Sequence, residues 1–203
     1  MQDILTLTST GRIYSFERSE TIDELLKAKH GQEMKGAEAV TLTMLGLNPL
    51  VFTLPGGAVL PWSQYATKYR GLLRTIKVKH EAHAVFAQEG YTAASGTPAF
   101  SVITSGPGAV HALIGVYDGT MEFIPGVVIS GNVPLDYLLN EYLRAFQSAR
   151  AVEAASALAK NAWLIDSEHK IQETITRAFV NSLGFPQGIN LVDVPKDIQI
   201  KET

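Results

Sequence analysis

The residues with the clearest chemical potential are His80 and Glu81, because the chain changes period there. Over Arg74-Thr75-Ile76-Lys77-Val78-Lys79, Ile76 and Val78 fall on one side and Thr75, Lys77 and Lys79 on the other, the period of a strand. Ala84, Ala87, Tyr91 and Ala94 then recur at helical spacing. Glu81 therefore stands where a strand ends and a helix begins, the edge at which open parallel α/β sheets bind ligands. The ordinary role of a first-turn Glu is to complement the helix dipole. A chemical role requires that it be partly buried and face a ligand. His80 and His83 flank it, but the order His-Glu-x-His does not place both imidazoles on one helical face, so no zinc site is read here.

Two Gly-rich turns share that geometry. Pro55, Gly56 and Gly57 follow the apolar run Leu50–Leu54, and paired glycines let a backbone come close to a partner. The pair lacks the third Gly of a dinucleotide fingerprint. Thr104-Ser105-Gly106-Pro107-Gly108 follows the run Ala99–Thr104 and could present free N–H groups to an anion or a ring. It has no Lys-Ser/Thr pair, which argues against a nucleotide-hydrolysing phosphate loop.

The elements that must hold these residues alternate. Helices are expected over 36–47, 60–68, 81–95, 105–117, 147–158 and 167–183. Strands are expected over 50–54, 74–78, 99–104, 125–130, 162–165 and 188–194. Gly131 to Asn140 reads as a loop. This is an α/β chain: a three-layer, doubly wound parallel sheet of about six strands with helices on both faces. An eight-fold barrel would need more repeats. Residues 1–33 differ, being polar at first and then carrying one short helix capped by Ser19, and read as an extension to a domain over 34–203.

Bulk properties narrow the function further. The 203 residues contain no Cys, which excludes disulfides and thiolate metal sites and fits the cytoplasm. A net charge of −3 without a long basic cluster argues against nucleic acid. No run reaches membrane-spanning length, and the N-terminus has no signal-peptide pattern.

Taken in order, Gly36-Ala37-Glu38-Ala39, Leu54-Pro55-Gly56-Gly57-Ala58-Val59-Leu60-Pro61, His80-Glu81, Glu89-Gly90-Tyr91, Thr104-Ser105-Gly106-Pro107-Gly108-Ala109, Ile129-Ser130-Gly131-Asn132-Val133-Pro134, Phe146-Gln147 and Leu191-Val192-Asp193-Val194-Pro195-Lys196-Asp197 resemble the N-terminal pyrimidine-binding domain of thiamine-diphosphate enzymes. The nearest pattern is the acetolactate (acetohydroxyacid) synthase large subunit. The resemblance implies that Glu81 is the activating glutamate, hydrogen-bonded to N1′ of the cofactor aminopyrimidine. It implies that Pro55, Gly56, Gly57, Ser105, Gly106 and Gly108 lie along the cofactor. Phe146, Gln147 and Lys196 match residues on the substrate side. The chain departs from the family pattern at Ala82-His83, Val110-His111, Ser148 and Gly184-Phe185-Pro186-Gln187-Gly188.

The family's diphosphate-binding domain carries Gly-Asp-Gly and a downstream Asn that hold Mg²⁺ and the diphosphate. No such triplet occurs in these 203 residues. The resemblance therefore implies half a site: a pyrimidine-binding subunit of a split enzyme, in a hetero-oligomer with a diphosphate-binding chain and containing a pair of pyrimidine-binding domains. The implied reaction is decarboxylation of a 2-oxo acid with carboligation. The alternatives are a split decarboxylase without ligation, a non-catalytic regulatory or scaffold homologue, and a flavodoxin-like electron carrier.

Overall fold

The computed structural model describes residues 3–5, 14–16, 19–140 and 145–203. Two short strands, β1 (Asp3–Leu5) and β2 (Tyr14–Phe16), pair antiparallel. Helix α1 (Glu20–Lys29) follows, with the Ser19 hydroxyl accepting the Ile22 N–H at its start, as a cap residue should. Then come α2 (Gly36–Leu47), β3 (Leu50–Leu54), α3 (Leu60–Lys68), β4 (Arg74–Lys77), α4 (Glu81–Ser95), β5 (Phe100–Ile103) and α5 (Pro107–Met121). The chain ends with β6 (Gly126–Asn132), α6 (Leu135–Leu139), α7 (Ala151–Ser156), β7 (Asn161–Leu164), α8 (Ile171–Leu183), β8 (Ile189–Pro195) and α9 (Lys196–Ile200).

Six strands form one parallel sheet in the order β4-β3-β5-β6-β8-β7. The period of two divides its core. Val51, Phe100, Val102, Val127, Ile129, Val192 and Val194 face α2, α3, α8 and α9, whereas Leu50, Phe52, Ile103, Val128, Ile189 and Leu191 face α4, α5 and α7. The result is the expected three-layer α/β fold. From β3 the chain steps outward to β4 and then returns to the other side of β3 as β5. The winding reverses there, so the carboxyl ends of β3 and β5 flank a switch-point crevice. Among the described residues, no helix is long and apolar enough to cross a membrane.

Several boundaries differ from the sequence reading, each for a local reason. The helix expected over 147–158 is only Ala151–Ser156, because Gln147 adopts a positive φ of 59° against the β5–α5 turn. Helix α5 runs on to Met121, since Gly119 is packed under Glu89 and Ile189 and does not break it. The expected loop after Gly131 contains α6, and α9 continues directly from β8; the Leu135 N–H donates to Asp197 Oδ1 at 3.0 Å and ties the two together. The long helix expected from Ser167 is a 3-10 turn over Glu168–Lys170 followed by α8. Residues 141–144 of the loop before Phe146 lie outside the described residues.

Candidate functional site

Glu81 is the first residue of α4, at the carboxyl end of the edge strand β4. Its helix starts there because His80, in extended conformation, accepts the Ala82 N–H on Nδ1 at 3.2 Å. An imidazole replaces the usual hydroxyl or carboxylate cap. Ala82, Ala84 and Val85 turn inward and pack α4 against α5. At Gly115 a Cβ would lie 2.7 Å from Val85 Cβ, so the two helices come together closely. That approach brings the first turns of α4 and α5 side by side.

Two features of the α5 start then meet Glu81, and a third meets His80. His111 Nδ1 lies 3.1 Å from Glu81 Oε2. A Cβ on Gly108 would lie 3.1 Å from Glu81 Oε1, so both carboxylate oxygens face α5. Finally, the His111 ring stacks on His80, with centroids 4.7 Å apart and planes 27° apart. His83 is tilted against His80 at 5.4 Å between ring centroids and is exposed. Glu81 is partly buried, its side chain 12% exposed against 47% for His111.

The two glycine turns complete this edge. Gly56 packs on Thr104, with 2.7 Å from a built Cβ to the Thr104 side chain, and Ala58 N–H donates to Thr104 Oγ1 at 3.4 Å. Gly57 is exposed with open space where a side chain would be. Pro55 is half-buried beside it, and Ser105 is buried. Gly106 has φ +62°, which favours glycine, and a Cβ there would press on the Gln147 backbone at 2.9 Å. The Phe146-Gln147 turn is thus seated on the β5–α5 turn. Phe146 itself is 88% exposed, and Lys196 opens α9 on the exposed surface. Gln199, one turn into α9, donates to the Ala58 carbonyl at 2.8 Å and links that element to the β3–α3 turn.

His111 was not singled out as a site residue by sequence reasoning. Its only signal was the departure of Val110-His111 from the family pattern, since its partner lies 30 residues away in sequence. Two buried acids were also missed. Asp193 lies across from Ser130 on β6. It accepts from the Ser130 hydroxyl at 2.6 Å and from Asn132 Nδ2 at 2.6 Å. Asn132 Nδ2 also donates to the Ala149 carbonyl at 2.9 Å, so this carboxyl anchors the turn that carries Gln147. Burial pushes Asp193 up to about 7, against the pull of its two hydrogen bonds. Glu89, between α4 and α5, is pushed up to about 8 by burial and by the neighbouring charge of Asp118.

His80, Glu81 and His111 present three ligand-type atoms within 4.8 Å of one another. Two imidazoles and one carboxylate do not suit Mg²⁺, which takes oxygen ligands. The Nδ1 lone pair of His80 is already engaged by the helix cap, and the positive ends of α4 and α5 oppose a cation.

Residues 34–157 match the family described as thiamine pyrophosphate enzyme, N-terminal TPP binding domain. The chain is 36% identical over 170 residues to the chloroplastic acetolactate synthase of Arabidopsis thaliana, covering 83% of this chain and 25% of that protein. It is 34% identical over 169 residues to the acetolactate synthase isozyme 2 large subunit of Escherichia coli, covering 82% and 30%. A probable acetolactate synthase large subunit of Methanocaldococcus jannaschii is likewise 34% identical, covering 82% and 27%. The chain thus spans between a quarter and a third of the length of these curated relatives, and it belongs to the thiamine pyrophosphate enzymes, matching their N-terminal TPP-binding domain.

Proposed function

We propose that this chain, through its body over 34–203, supplies the pyrimidine-binding half of an acetolactate-synthase-like thiamine diphosphate site. In this reading it decarboxylates a 2-oxo acid such as pyruvate and joins the remainder to a carbonyl acceptor. The observation that carries it is Glu81: a partly buried carboxyl at the carboxyl edge of the sheet, beside the switch-point crevice, with Oε2 held by His111 and Oε1 beside Gly108. Thiamine diphosphate, when bound, supplies the carbon nucleophile that adds to the 2-oxo group. The chain's own residues bind, orient and move protons. Glu81 holds or shares a proton with a ring nitrogen, and its separation from bulk water favours that sharing. The bare backbone at Gly57 leaves open space for a flat ring, while Gly56, Gly106 and Gly108 let Thr104, Gln147 and Glu81 pack closely at the same sheet edge. Phe146, Gln147 and Lys196 are assigned to the acceptor side, a reading that the exposure of Phe146 and Lys196 supports.

Mg²⁺ and the diphosphate are assigned to another domain, brought by a companion chain. Val110, Ile114, Tyr117 and Met121 form an exposed apolar stripe along α5, with exposed Phe86 nearby in sequence to the α4 start. That helical spacing supports association through the α4–α5 face with a second pyrimidine-binding domain. The test is to purify the tagged chain with its companion and supply thiamine diphosphate, Mg²⁺ and pyruvate with and without a carbonyl acceptor. A joined product that disappears in Glu81→Gln is expected. Activity equal to wild type in that variant overturns the reading, and release of an aldehyde alone limits it to decarboxylation.

A further inference from the structure

Glu81 is surrounded by three imidazoles in unequal states. His80 accepts the Ala82 N–H on Nδ1. An imidazole that accepts there keeps its proton on Nε2 and is neutral. His83 reaches His80 at 5.4 Å between ring centroids, with the two planes tilted by 48°. Of the three, His111 is the one that hydrogen-bonds the carboxylate among the described residues, Nδ1 to Oε2 at 3.1 Å. The other residues of the first turn of α5, Pro107, Gly108, Ala109 and Val110, carry no charge, and Ser105 and Gln147 on the adjoining turns are neutral. Exposure separates the pair. Glu81 is largely shut from water, whereas about half of the His111 side chain is open to it. The ring of His80 stacked on His111 restrains the imidazole plane, so the contact is held.

We propose that His111 is the positioning residue of Glu81 and its route for exchanging protons with solvent. It fixes Oε2, which leaves Oε1 as the atom that meets a ligand. This inference rests on the reading of Glu81 as the carboxyl that faces the aminopyrimidine. The relay moves one proton and no electrons. After Glu81 gives its acid proton to a ring nitrogen, Oε2 takes the Nδ1 proton of His111 while Nε2 takes a proton from a water molecule, which is left in bulk solvent as hydroxide. The carboxylic acid is restored and the imidazole stays neutral in its other tautomer; the reverse sequence returns the proton to water. Asn at this position could donate one hydrogen bond to Oε2 but could not pass a proton from its other side.

Long-range ¹H–¹⁵N spectra of the chain alone report the tautomer of His111. Wild type is expected to show the Nδ1–H form, and Glu81→Ala the Nε2–H form that free neutral histidine prefers. The same tautomer in both proteins overturns the proposal. In the complex with the companion chain, thiamine diphosphate and Mg²⁺, exchange of the cofactor C2 proton is compared for His111→Asn and His111→Phe. Both are expected to be slower than wild type by about 10²-fold or more, in the range of a lost proton-transfer group. Full rescue by His111→Asn would reduce His111 to a structural donor and overturn the relay. A Glu81-dependent tautomer together with C2 exchange indifferent to Glu81→Gln would instead overturn the reading of Glu81 and leave the His111–Glu81 pair standing.

Discussion

Glu81 and Gly108 meet without room for a methyl group: a Cβ on Gly108 would lie 3.1 Å from Glu81 Oε1 and 2.7 Å from Thr104 Cγ2. Gly108→Ala is therefore expected to displace the carboxylate from the sheet edge. Overpacking of this kind costs about 1–3 kcal/mol. The expected result is a folded protein that has lost that much stability in urea unfolding and whose affinity for thiamine diphosphate, measured in the complex, falls further than its stability predicts. Unchanged affinity would show that Glu81 tolerates the shift.

Gly106 joins the Phe146-Gln147 turn to the sheet edge. It combines φ +62° with contact to the Gln147 backbone. Gly106→Ala is expected to cost about 1–3 kcal/mol through backbone strain, and to loosen residues 145–150. Limited proteolysis should cut that segment faster than in wild type. An unaltered cleavage pattern would contradict the contact.

The alternation of strands and helices could be read from the sequence because each strand is a short apolar run and each helix keeps its own period. The location of Glu81 followed from the change of period at residue 80, and that of both glycine turns from the apolar runs they follow. What could not be read was whatever depends on residues distant in the chain. His111 reaches Glu81 only because small residues let α4 and α5 approach, and the helix assigned to 147–158 is shortened because Gln147 is held by Gly106, 41 positions earlier. The acid pairings at Asp193 and Glu89 depend likewise on strand register and helix packing, neither of which a local pattern encodes.

Glu89 should make stability depend on pH in a direction opposite to that of a salt-bridged acid. Its folded value is about 8, against an ordinary value of 4.5. Between those limits the folded state binds more protons than the unfolded chain, so stability falls as pH rises. Asp193, at about 7 against 3.8, adds to the fall below pH 7. Between pH 7 and 8 the loss belongs mainly to Glu89. Glu89→Gln is expected to flatten the urea-unfolding free energy over that interval, while a slope equal to wild type would count against the buried protonated acid.

Asn132 joins the buried Asp193 carboxyl to the Ala149 carbonyl through one amide. Asn132→Ala strips a hydrogen bond from a buried acid and frees the backbone that leads to Gln147. The expected loss is about 1–3 kcal/mol, the penalty for an unpaired buried polar group. Thermal and urea unfolding measure it, and a change below about 0.5 kcal/mol would place the effect within that of an ordinary surface substitution.

The exposed α5 stripe predicts self-association. Ile114→Asp sets a charge at the centre of Val110, Ile114, Tyr117 and Met121. Sedimentation should show a smaller species for the variant than for wild type at equal concentration, with unchanged helix content. Identical sedimentation would remove α5 as the contact.

The central claim is that Glu81 activates thiamine diphosphate. Its most direct measurement is the rate at which the C2 proton of the bound cofactor exchanges for deuterium in the complex of this chain with its companion and Mg²⁺, compared between wild type and Glu81→Gln. Loss of a positioned acid–base group costs about 10²–10⁴-fold, and a fall in the exchange rate of that order, with the cofactor still bound, is the predicted result. An exchange rate equal to wild type in Glu81→Gln would contradict the account.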